Sequence, residues 1–428
     1  MSILRRSDVK DSVFSARIQN EAEVQILTSD AEWLSLEFEW KALFEEMRSP
    51  SPNLLWDVAD TWRKHYGGRL IHSTIVIRKS GTAIAIFPMC QVAETGWLEP
   101  KRLFLLGMNP YIGAQDFIDE PIHLMRAGDE QAAIRAFRNA LKGLKRDMLD
   151  INLLLATLQE PQGLRSRRRA GPSVVELQST WDNYRKSLTK SMRDNLPYYP
   201  RLLARNGHRF SVIRSSNLSE QLINLHKARN AVVLDAKRVD HFAKEDDRAL
   251  QQLVWSRLAD QGHGFYAALN VDGEIVAVQA FAECGDTLLI GYSGFDPKWS
   301  AFSPLLVLQA EVFKSAMDRG IRRLNFQRGC RAWQTRWKAQ PQGSICSTTI
   351  VSKNPVSMVK CSLQFVRHEL NAGSRKLVVK LKASRLVNRL TLLVGPDFAF
   401  ATHRAAHFGV RAMQMGLHHP AIRLLRLH

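Results

Sequence analysis

The chain has 428 residues, of which 45% are hydrophobic and 24% charged, a globular composition with room for two or three domains. No run approaches the roughly 20 apolar residues that a membrane-spanning helix needs, and the first residues, MSILRRSDVKDSV, lack the apolar stretch of a secretory signal. The five cysteines are scattered and show no paired or metal-ligand spacing, which predicts reduced thiols, no metal site and a cytoplasmic protein.

The formal net charge of +19 is unevenly spread. Residues 356–428 hold twelve Lys and Arg but two Asp and Glu. Such a field attracts nucleic acid, anionic lipid and phosphorylated cofactors alike, and does not choose among them. Because no zinc-finger or helix-turn-helix signature accompanies it, we expect no sequence-specific binding of nucleic acid.

The first elements follow a polar stretch, residues 1–22, which we expect to be flexible. The apolar spacing predicts a strand from Val24 and helices over residues 33–47 and 54–65. The stretch HSTIVIRKSGTAIAIFPMCQV predicts a β-hairpin that turns at Ser80-Gly81. Further predicted elements are strands at residues 103–106, 115–118 and 150–155 and a helix over residues 130–145.

Residues 159–173, QEPQGLRSRRRAGPS, are basic and rich in Pro and Gly, which predicts a surface link between domains. Helices are predicted over residues 181–206, 218–229 and 243–261. A second hairpin, GFYAALNVDGEIVAVQAFAEC, then repeats the pattern of the first about 190 residues later. We therefore predict two copies of one α/β module, residues 23–158 and 174–352, followed by a basic helical tail, residues 353–428.

The strand TLLIGYSG, residues 287–294, leads into two breaks, at Asp296-Pro297 and at Ser303-Pro304, and then into a helix that ends near Gly320. Ser and Pro suit the cap and first position of a helix, and the free N–H groups of a helix start can hold a phosphate. Glycines in the strand would let a ligand come close. Any strand–turn–helix unit has a similar pattern, so a purely structural interpretation stays open.

Three stretches carry a family resemblance: YRKSLTKSMRDNLPYYPRLLARNG, GEIVAVQAFAECGDTLLIGYSGFDPKWSAFSPLLVL and RGIRRLNFQRGCRAWQTRWKA. In this order and spacing they resemble the GNAT-type acetyltransferase domain of the cellulose-biosynthesis CelD kind, which is related to the Fem-type aminoacyl transferases. The resemblance covers about residues 24–350. It implies an α/β (α+β) fold with two tandem GNAT-like mixed-sheet domains ahead of the basic tail.

The resemblance also implies a co-substrate, acyl-CoA (acetyl-CoA), whose pantetheine lies along strand 287–294 and whose pyrophosphate caps helix 303–319. The implied donor-site residues are Gly291, Ser293, Gly294, Ser303, Leu305 and Leu306. The sequence departs from the family pattern in three places: Leu305 stands for a Gly, Asn325 for an Asp, and Trp333-Gln334 for a Tyr-Lys pair.

The implied function is transfer of an acyl group to nitrogen or oxygen of a sugar, polysaccharide or cell-envelope precursor. Two alternatives remain open. One is a non-catalytic GNAT-like scaffold in a polysaccharide-synthesis assembly. The other is a Fem-like transferase that uses aminoacyl-tRNA, with which the positive charge is compatible.

Individual residues carry alternatives of their own. Asp296 is either a turn former or the base that deprotonates the acceptor, and Tyr292 is either a core residue or the proton donor to the leaving thiolate. The other candidates would bind substrate, or else belong to a solvated strand end and a packed helix: Gln327, Arg328, Trp333, Arg336 and Trp337.

Two basic stretches allow a choice between solvated surface and contact with an anion. The helix over residues 185–205 could attract a phosphate-linked acceptor. The tail contains LVVKLKASRLVNRLTLLV, which fits an interfacial helix on anionic lipid or a helix packed back on the domains. We therefore expect a cytoplasmic protein with peripheral contact at the inner membrane face.

Overall fold

The structure is a computed structural model that describes residues 22–47, 51–108, 122–155, 167–232, 242, 245–328 and 332–371. The predictions for residues 1–21, for the strand at 115–118 and for the tail from residue 372 lie outside the described residues. The chain divides into two compact units, Met1–Cys361 and Ser362–His428. Both β-sheets belong to the first unit.

The first half of this unit contains a strand, helices, a hairpin and a helical crossover. Its elements are β1 (Glu23–Leu27), α1 (Asp30–Ser35), α2 (Glu37–Glu45), a 3-10 helix (Pro52–Leu54), α3 (Trp56–Tyr66), a 3-10 helix (Gly67–Arg69), β2 (Leu70–Lys79), β3 (Thr82–Val92), β4 (Arg102–Leu105), β5 (Leu124–Met125), α4 (Glu130–Gly143) and β6 (Met148–Leu155).

The second half repeats this sequence of elements. β7 (Arg167–Ala170) and β8 (Pro172–Glu176) precede it. It contains α5 (Trp181–Ser187), α6 (Lys190–Arg205), β9 (Phe210–Ser215), α7 (Ser219–Val232), α8 (Glu245–Asp260), β10 (Gly264–Val271), β11 (Glu274–Cys284), β12 (Thr287–Phe295), a 3-10 helix (Pro297–Phe302), α9 (Pro304–Asp318), β13 (Arg323–Arg328), α10 (Ala332–Arg336) and β14 (Gln340–Pro341). The strand β15 (Ser344–Val351) and the helix α11 (Pro355–Asn371) follow.

Each of two helices that were predicted as continuous is divided into two shorter helices in the structure. The predicted helix 33–47 begins earlier and is interrupted at Leu36, whose N–H donates to Trp33 O in a tightened turn. The predicted helix 181–206 is interrupted because Thr189 caps a second helix, its side chain accepting from the Met192 N–H. Arg193, predicted on an exposed basic face, donates to Leu188 O over 2.8 Å and so satisfies the end of the first helix.

The two sheets have the same strand order. The first runs β1-β2-β3-β4-β6-β15-β7, with β5 also paired to β3, and the second runs β9-β10-β11-β12-β13-β8-β14. In each, the fourth and fifth strands are parallel and joined by a helical crossover, α4 or α9, and the other pairs are antiparallel. The predicted duplication of one α/β module is therefore confirmed.

Both hairpins turn through two residues with positive φ, and the first turn lies at Ser80-Gly81 as predicted. Ser80 and Gly81 have φ of 52° and 78°, and Asp272 and Gly273 have φ of 52° and 93°. Paired positive φ values are the backbone of the tight turn that matches the twist of the flanking strands.

Each sheet takes its sixth strand from outside its own half of the chain. β15, which follows the second half, pairs with β6 and β7 of the first sheet. β8, which precedes the second half, pairs with β13. Gly171 lies at the crossing between β7 and β8, and a Cβ there would be 1.9 Å from Gln342 O. The described part of the predicted surface link, residues 167–173, is thus strand, and Ser173 is fully buried.

One hydrophobic core runs through both halves. It joins the tryptophan cluster of the first half, Trp33, Trp40 and Trp56, to the apolar face of α7 and α8, including Trp255. A hydrogen bond and an ion pair also join the halves: His65 Nε2 lies 3.0 Å from Asp246 Oδ1, and Arg257 Nη2 lies 3.0 Å from Asp57 Oδ1. A second core lies between the second sheet and the helices α6 and α9.

Among the helices of the described residues, none is both long and apolar enough to cross a membrane.

Candidate functional site

The second sheet opens between its two parallel strands. β12 and β13 are paired from Thr287 to Leu289, opposite Arg323 to Asn325, and then diverge. At the same point β12 bulges against β11: Ser293 pairs with Gln279 and Ile290 with Phe281. Gly291 and Tyr292 therefore lie opposite the single residue Ala280, which is the two-against-one count of a β-bulge. The gap and the bulge together expose an edge of backbone in the middle of a sheet.

Side chains, rather than the neighbouring strand, hold the carbonyl groups of the divergent part of β12. The Gln327 Nε2 donates to Ile290 O over 3.2 Å, and the Gln279 Nε2 donates to Gly291 O over 3.2 Å. The His226 Nδ1 lies 3.0 Å from Ser293 O, within hydrogen-bond distance. The open strand is therefore held at three carbonyl groups, those of Ile290, Gly291 and Ser293.

Gln327 spans the gap in a strained backbone conformation. Its φ is 60°, a region that non-glycine residues rarely adopt. The N–H of Gln327 donates to the Asn325 Oδ1 over 2.7 Å, which holds this turn of the chain. The substrate-binding candidate Gln327 is thus placed at the gap, where its amide takes the position that a strand neighbour or a ligand would occupy.

The two glycines of β12 face protein rather than open space. A Cβ on Gly291 would lie 2.4 Å from the ring of Trp255, and a Cβ on Gly294 would lie 2.3 Å from the backbone N of His226. The structure therefore explains both glycines by close packing of the helices α7 and α8. Side chains project perpendicular to a sheet, whereas the gap between β12 and β13 lies in the plane of the sheet. The helices that pack on the two glycines therefore do not fill the gap.

We predict that Gly294→Ala destabilises the protein by about 1–3 kcal/mol, because its Cβ would meet helix backbone, which cannot rotate aside. The measurement is the thermal or denaturant unfolding midpoint. Gly143→Ala is the matched control, because a Cβ there has no neighbour within 4 Å, so its midpoint should stay equal or rise. Equal midpoints for both variants would contradict the packing explanation.

The helix α9 begins beside the gap. Ser303 occupies the cap position in the left-handed conformation, with φ 47°, and its side chain makes no capping hydrogen bond. The N–H groups of Leu306 and Val307 both donate to Ser303 O, over 2.9 and 3.2 Å. The start of α9 therefore has fewer free N–H donors than the sequence predicted. Leu305 and Leu306 are half-buried against the second core.

Asp296 and Tyr292, the two candidates for proton transfer, both have structural contacts. The Asp296 Oδ1 accepts from the Lys298 N–H over 3.0 Å and so caps the 3-10 helix Pro297–Phe302. The Tyr292 ring packs 5.2 Å from Phe242, edge to face. Both residues remain partly exposed at the carboxyl end of β12, beside the gap.

The remaining substrate-binding candidates differ in how exposed they are. Trp337 is 1% exposed and packs against Phe313, so it is a core residue and does not form a surface for stacking. Trp333 is 38% exposed, with Phe326 against its ring, and Arg336 is exposed. Arg328 ends β13, and its side chain lies outside the described set.

Sequence reasoning missed the contribution of α7. His226 is 5% exposed, holds Ser293 O and packs against Phe242, with ring centroids 5.0 Å apart. The Arg229 Nη1 lies 3.4 Å from the Ser293 Oγ. The spacing of these two residues places them on one helix face, but nothing in the sequence connects that face to a strand 67 residues away.

The described cysteines, Cys90, Cys284, Cys346 and Cys361, are free and buried. Burial raises the pKa of the Cys284 and Cys361 thiols to about 11, which disfavours the reactive thiolate. Within the described ranges, no group of three or more His, Cys, Asp or Glu side chains is placed to hold a metal ion.

Comparisons with known proteins bear on the fold of this chain. Residues 190–338 match the family model described as an acetyltransferase (GNAT) domain. No curated protein sequence matches the chain. The crystal structure of FemX has a TM-score of 0.53 and 10% identity, and the match covers 78% of this chain and 98% of FemX. At this identity the likeness shows the fold, and the predicted fold of two tandem GNAT-like mixed-sheet domains is confirmed.

Two further structures are similar at lower scores. A conserved protein of unknown function from Bacteroides thetaiotaomicron has a TM-score of 0.47 and 12% identity, covering 77% of this chain and 100% of that one. A tandem GNAT protein from the clavulanic acid biosynthesis pathway has a TM-score of 0.45 and 11% identity, covering 77% of this chain and 98% of that one.

Proposed function

We propose that this chain, whose residues 190–338 match a GNAT acetyltransferase domain, is an acyl-CoA-dependent N- or O-acyltransferase. The observation that carries the proposal is the opening between β12 and β13 beyond Leu289, beside the first turn of α9. An extended pantetheine chain would lie in this opening. Its pyrophosphate would reach the start of α9, where the Leu305 N–H precedes the intrahelical bonds.

The reaction would be a direct transfer. The acceptor nitrogen or oxygen attacks the thioester carbon, a C–N or C–O bond forms, and the C–S bond breaks to release the thiolate of CoA. A base must take the proton of the acceptor, and Asp296 is our candidate because its carboxylate lies at the end of β12. Tyr292 is the candidate to protonate the thiolate. Backbone N–H groups of the bulge would stabilise the oxyanion.

The acceptor that we propose is a sugar, a polysaccharide or a cell-envelope precursor. This proposal rests on the resemblance to the CelD kind. The exposed face of Trp333, with Arg336 nearby in α10, offers an aromatic and a cationic group of the kind that binds such molecules. A tail in contact with anionic lipid would bring the enzyme to the membrane face where these precursors are assembled.

A non-catalytic scaffold is the second candidate, and one observation favours it. The Gln327 amide already bonds Ile290 O across the gap, and Leu305 places a side chain where the family has a glycine. A donor must displace Gln327 and fit beside Leu305. An aminoacyl-tRNA donor, as in a Fem-like transferase, is a variant of the enzyme proposal that the shared fold allows.

Calorimetry on the full chain with acetyl-CoA, a longer acyl-CoA and free CoA tests the proposal. We expect saturable binding of acetyl-CoA at one site per chain, with release of free thiol when an acceptor is present. If none of the three ligands binds, the acyl-CoA proposal is wrong and the scaffold becomes the leading candidate.

A further inference from the structure

We propose that a buried relay of three side chains, Trp337, Gln309 and Gln279, is a positioning device that sets the bulge of β12. The Trp337 Nε1 donates to the Gln309 Oε1 over 3.1 Å, and the Gln309 Nε2 donates to the Gln279 Oε1 over 2.9 Å. The Gln279 Nε2 then donates to Gly291 O over 3.2 Å. The three residues are 1%, 6% and 1% exposed, so water does not compete for these bonds.

The direction of the relay is fixed at one end. The indole nitrogen of Trp337 only donates, so the Gln309 oxygen must face it and the Gln309 nitrogen must face Gln279. The same logic turns the Gln279 oxygen toward Gln309 and its nitrogen toward Gly291 O. The Tyr184 hydroxyl donates to Trp337 O over 2.7 Å and holds the starting residue in place.

The relay ends at the bulge of β12, where the proposed reaction would take place. Gly291 and Tyr292 are the two residues opposite Ala280, so the pairing with β11 is interrupted there. A carbonyl removed from the ladder and left without a donor is costly. The Gln279 amide makes one orientation of the Gly291–Tyr292 peptide favourable and thereby fixes where the following N–H groups point.

The inference rests on the proposed function, in which the bulge holds the thioester carbonyl. Within that function it assigns the relay to recognition of the acyl group rather than of CoA. The pyrophosphate would contact the start of α9, which does not depend on Gln279. Disturbing the relay should therefore affect the acyl carbonyl and leave the nucleotide end unaffected.

The first experiment compares Trp337→Phe and Gln279→Met with the parent by hydrogen–deuterium exchange of residues 287–295, without ligand. Phe keeps an aromatic ring against Phe313 but removes the donor. We expect exchange in β12 to rise at least about fivefold, as for the loss of one buried hydrogen bond. Gln309→Met should have the larger effect, because it removes both the acceptor for Trp337 and the donor to Gln279.

Trp40→Phe is the control, because it also removes a buried indole hydrogen bond, the one from Trp40 Nε1 to Leu54 O. It should lower the unfolding midpoint and raise exchange in β12 by no more than this loss of global stability accounts for. Unchanged exchange in β12 for all three relay variants, with the fold intact, would overturn the relay. This outcome does not depend on ligand binding.

The second experiment measures the ratio of the Kd for CoA to the Kd for acetyl-CoA by calorimetry. We expect Trp337→Phe to leave the Kd for CoA within about twofold while the preference for acetyl-CoA falls about five- to tenfold. Faster β12 exchange with an unchanged ratio would overturn the role in acyl recognition. If the parent binds neither ligand but its relay variants exchange faster, the proposed function fails while the relay as a structural device stands.

Discussion

Leu305→Glu is expected to weaken CoA binding about thirtyfold, because it places a carboxylate within a few ångströms of the proposed pyrophosphate position. Two like charges at this distance near a protein surface repel by about 2–4 kcal/mol, and about 2 kcal/mol corresponds to thirtyfold in Kd. Leu305 is half-buried in the first turn of α9, so its replacement changes the place where the phosphates would lie.

An acidic side chain in the first turn of a helix stabilises that helix, which offsets part of the packing that Leu305 makes against the second core. Leu305→Gln is the matched control: its side chain has the shape of glutamate without the charge, and it should bind CoA within about threefold of the parent. Leu305→Gly restores the residue of the family pattern and should bind at least as tightly. Calorimetry with CoA checks all three, and equal Kd values for the Glu and Gln variants would mean that no phosphate lies there.

The architecture was largely predictable because its signals are local. Each hairpin has its own turn residues, Ser80-Gly81 and Asp272-Gly273, between two β-branched or apolar runs. The repetition of one pattern across two halves then predicted a duplicated module. The exchange of β8 and β15 between the sheets could not be predicted, because no local pattern states which sheet a strand joins.

Helix interruptions were missed where a cap competes with a continuous apolar pattern. The periodicity of residues 181–206 is that of one helix, yet Thr189 caps a new start with its hydroxyl. The Ser29–Glu32 capping box marks the beginning of α1 in the same way. Capping residues are sequence signals that apolar periodicity does not include.

The candidate site was predictable in position but not in detail. The strand, the double break and the helix start lie where the sequence placed them. The glycines were assigned to ligand approach, whereas α7 and Trp255 occupy their Cβ positions. A glycine shows that something comes close, and only the tertiary structure shows what that is.

The roles of Trp337 and His226 could also not be predicted from local sequence. The spacing of Trp333 and Trp337 allowed either an aromatic patch for substrate or a packed helix. The chain leaves α10 after Arg336, and Trp337 lies in the core. His226 showed no local motif, yet it holds the open strand through Ser293 O. Contacts between residues far apart in the chain decide both roles.

Asp296→Asn is expected to lower turnover about 10²- to 10⁴-fold, the range attributed to a general base. The variant isolates the charge, because an asparagine Oδ1 can accept from the Lys298 N–H as Asp296 does and so preserve the 3-10 helix. Acetyl-CoA should bind within about twofold of the parent, since in the proposed mechanism the carboxylate would contact the acceptor and not the donor. The measurement is thiol release from acetyl-CoA with glucosamine as the probe acceptor and with water alone.

Lys298→Met is the control for this substitution. It keeps the backbone N–H that Asp296 accepts from and removes an ammonium 3.8 Å from the Asp296 Oδ2. Because the Lys298 side chain is 84% exposed, the ion pair should contribute little, and turnover should stay within about threefold of the parent. Parent-like turnover in Asp296→Asn, together with loss of activity in Asp296→Ala, would show that Asp296 acts only as the cap of the 3-10 helix. The base would then be sought among the other side chains near the open strand, of which His226, 3.0 Å from Ser293 O, is one.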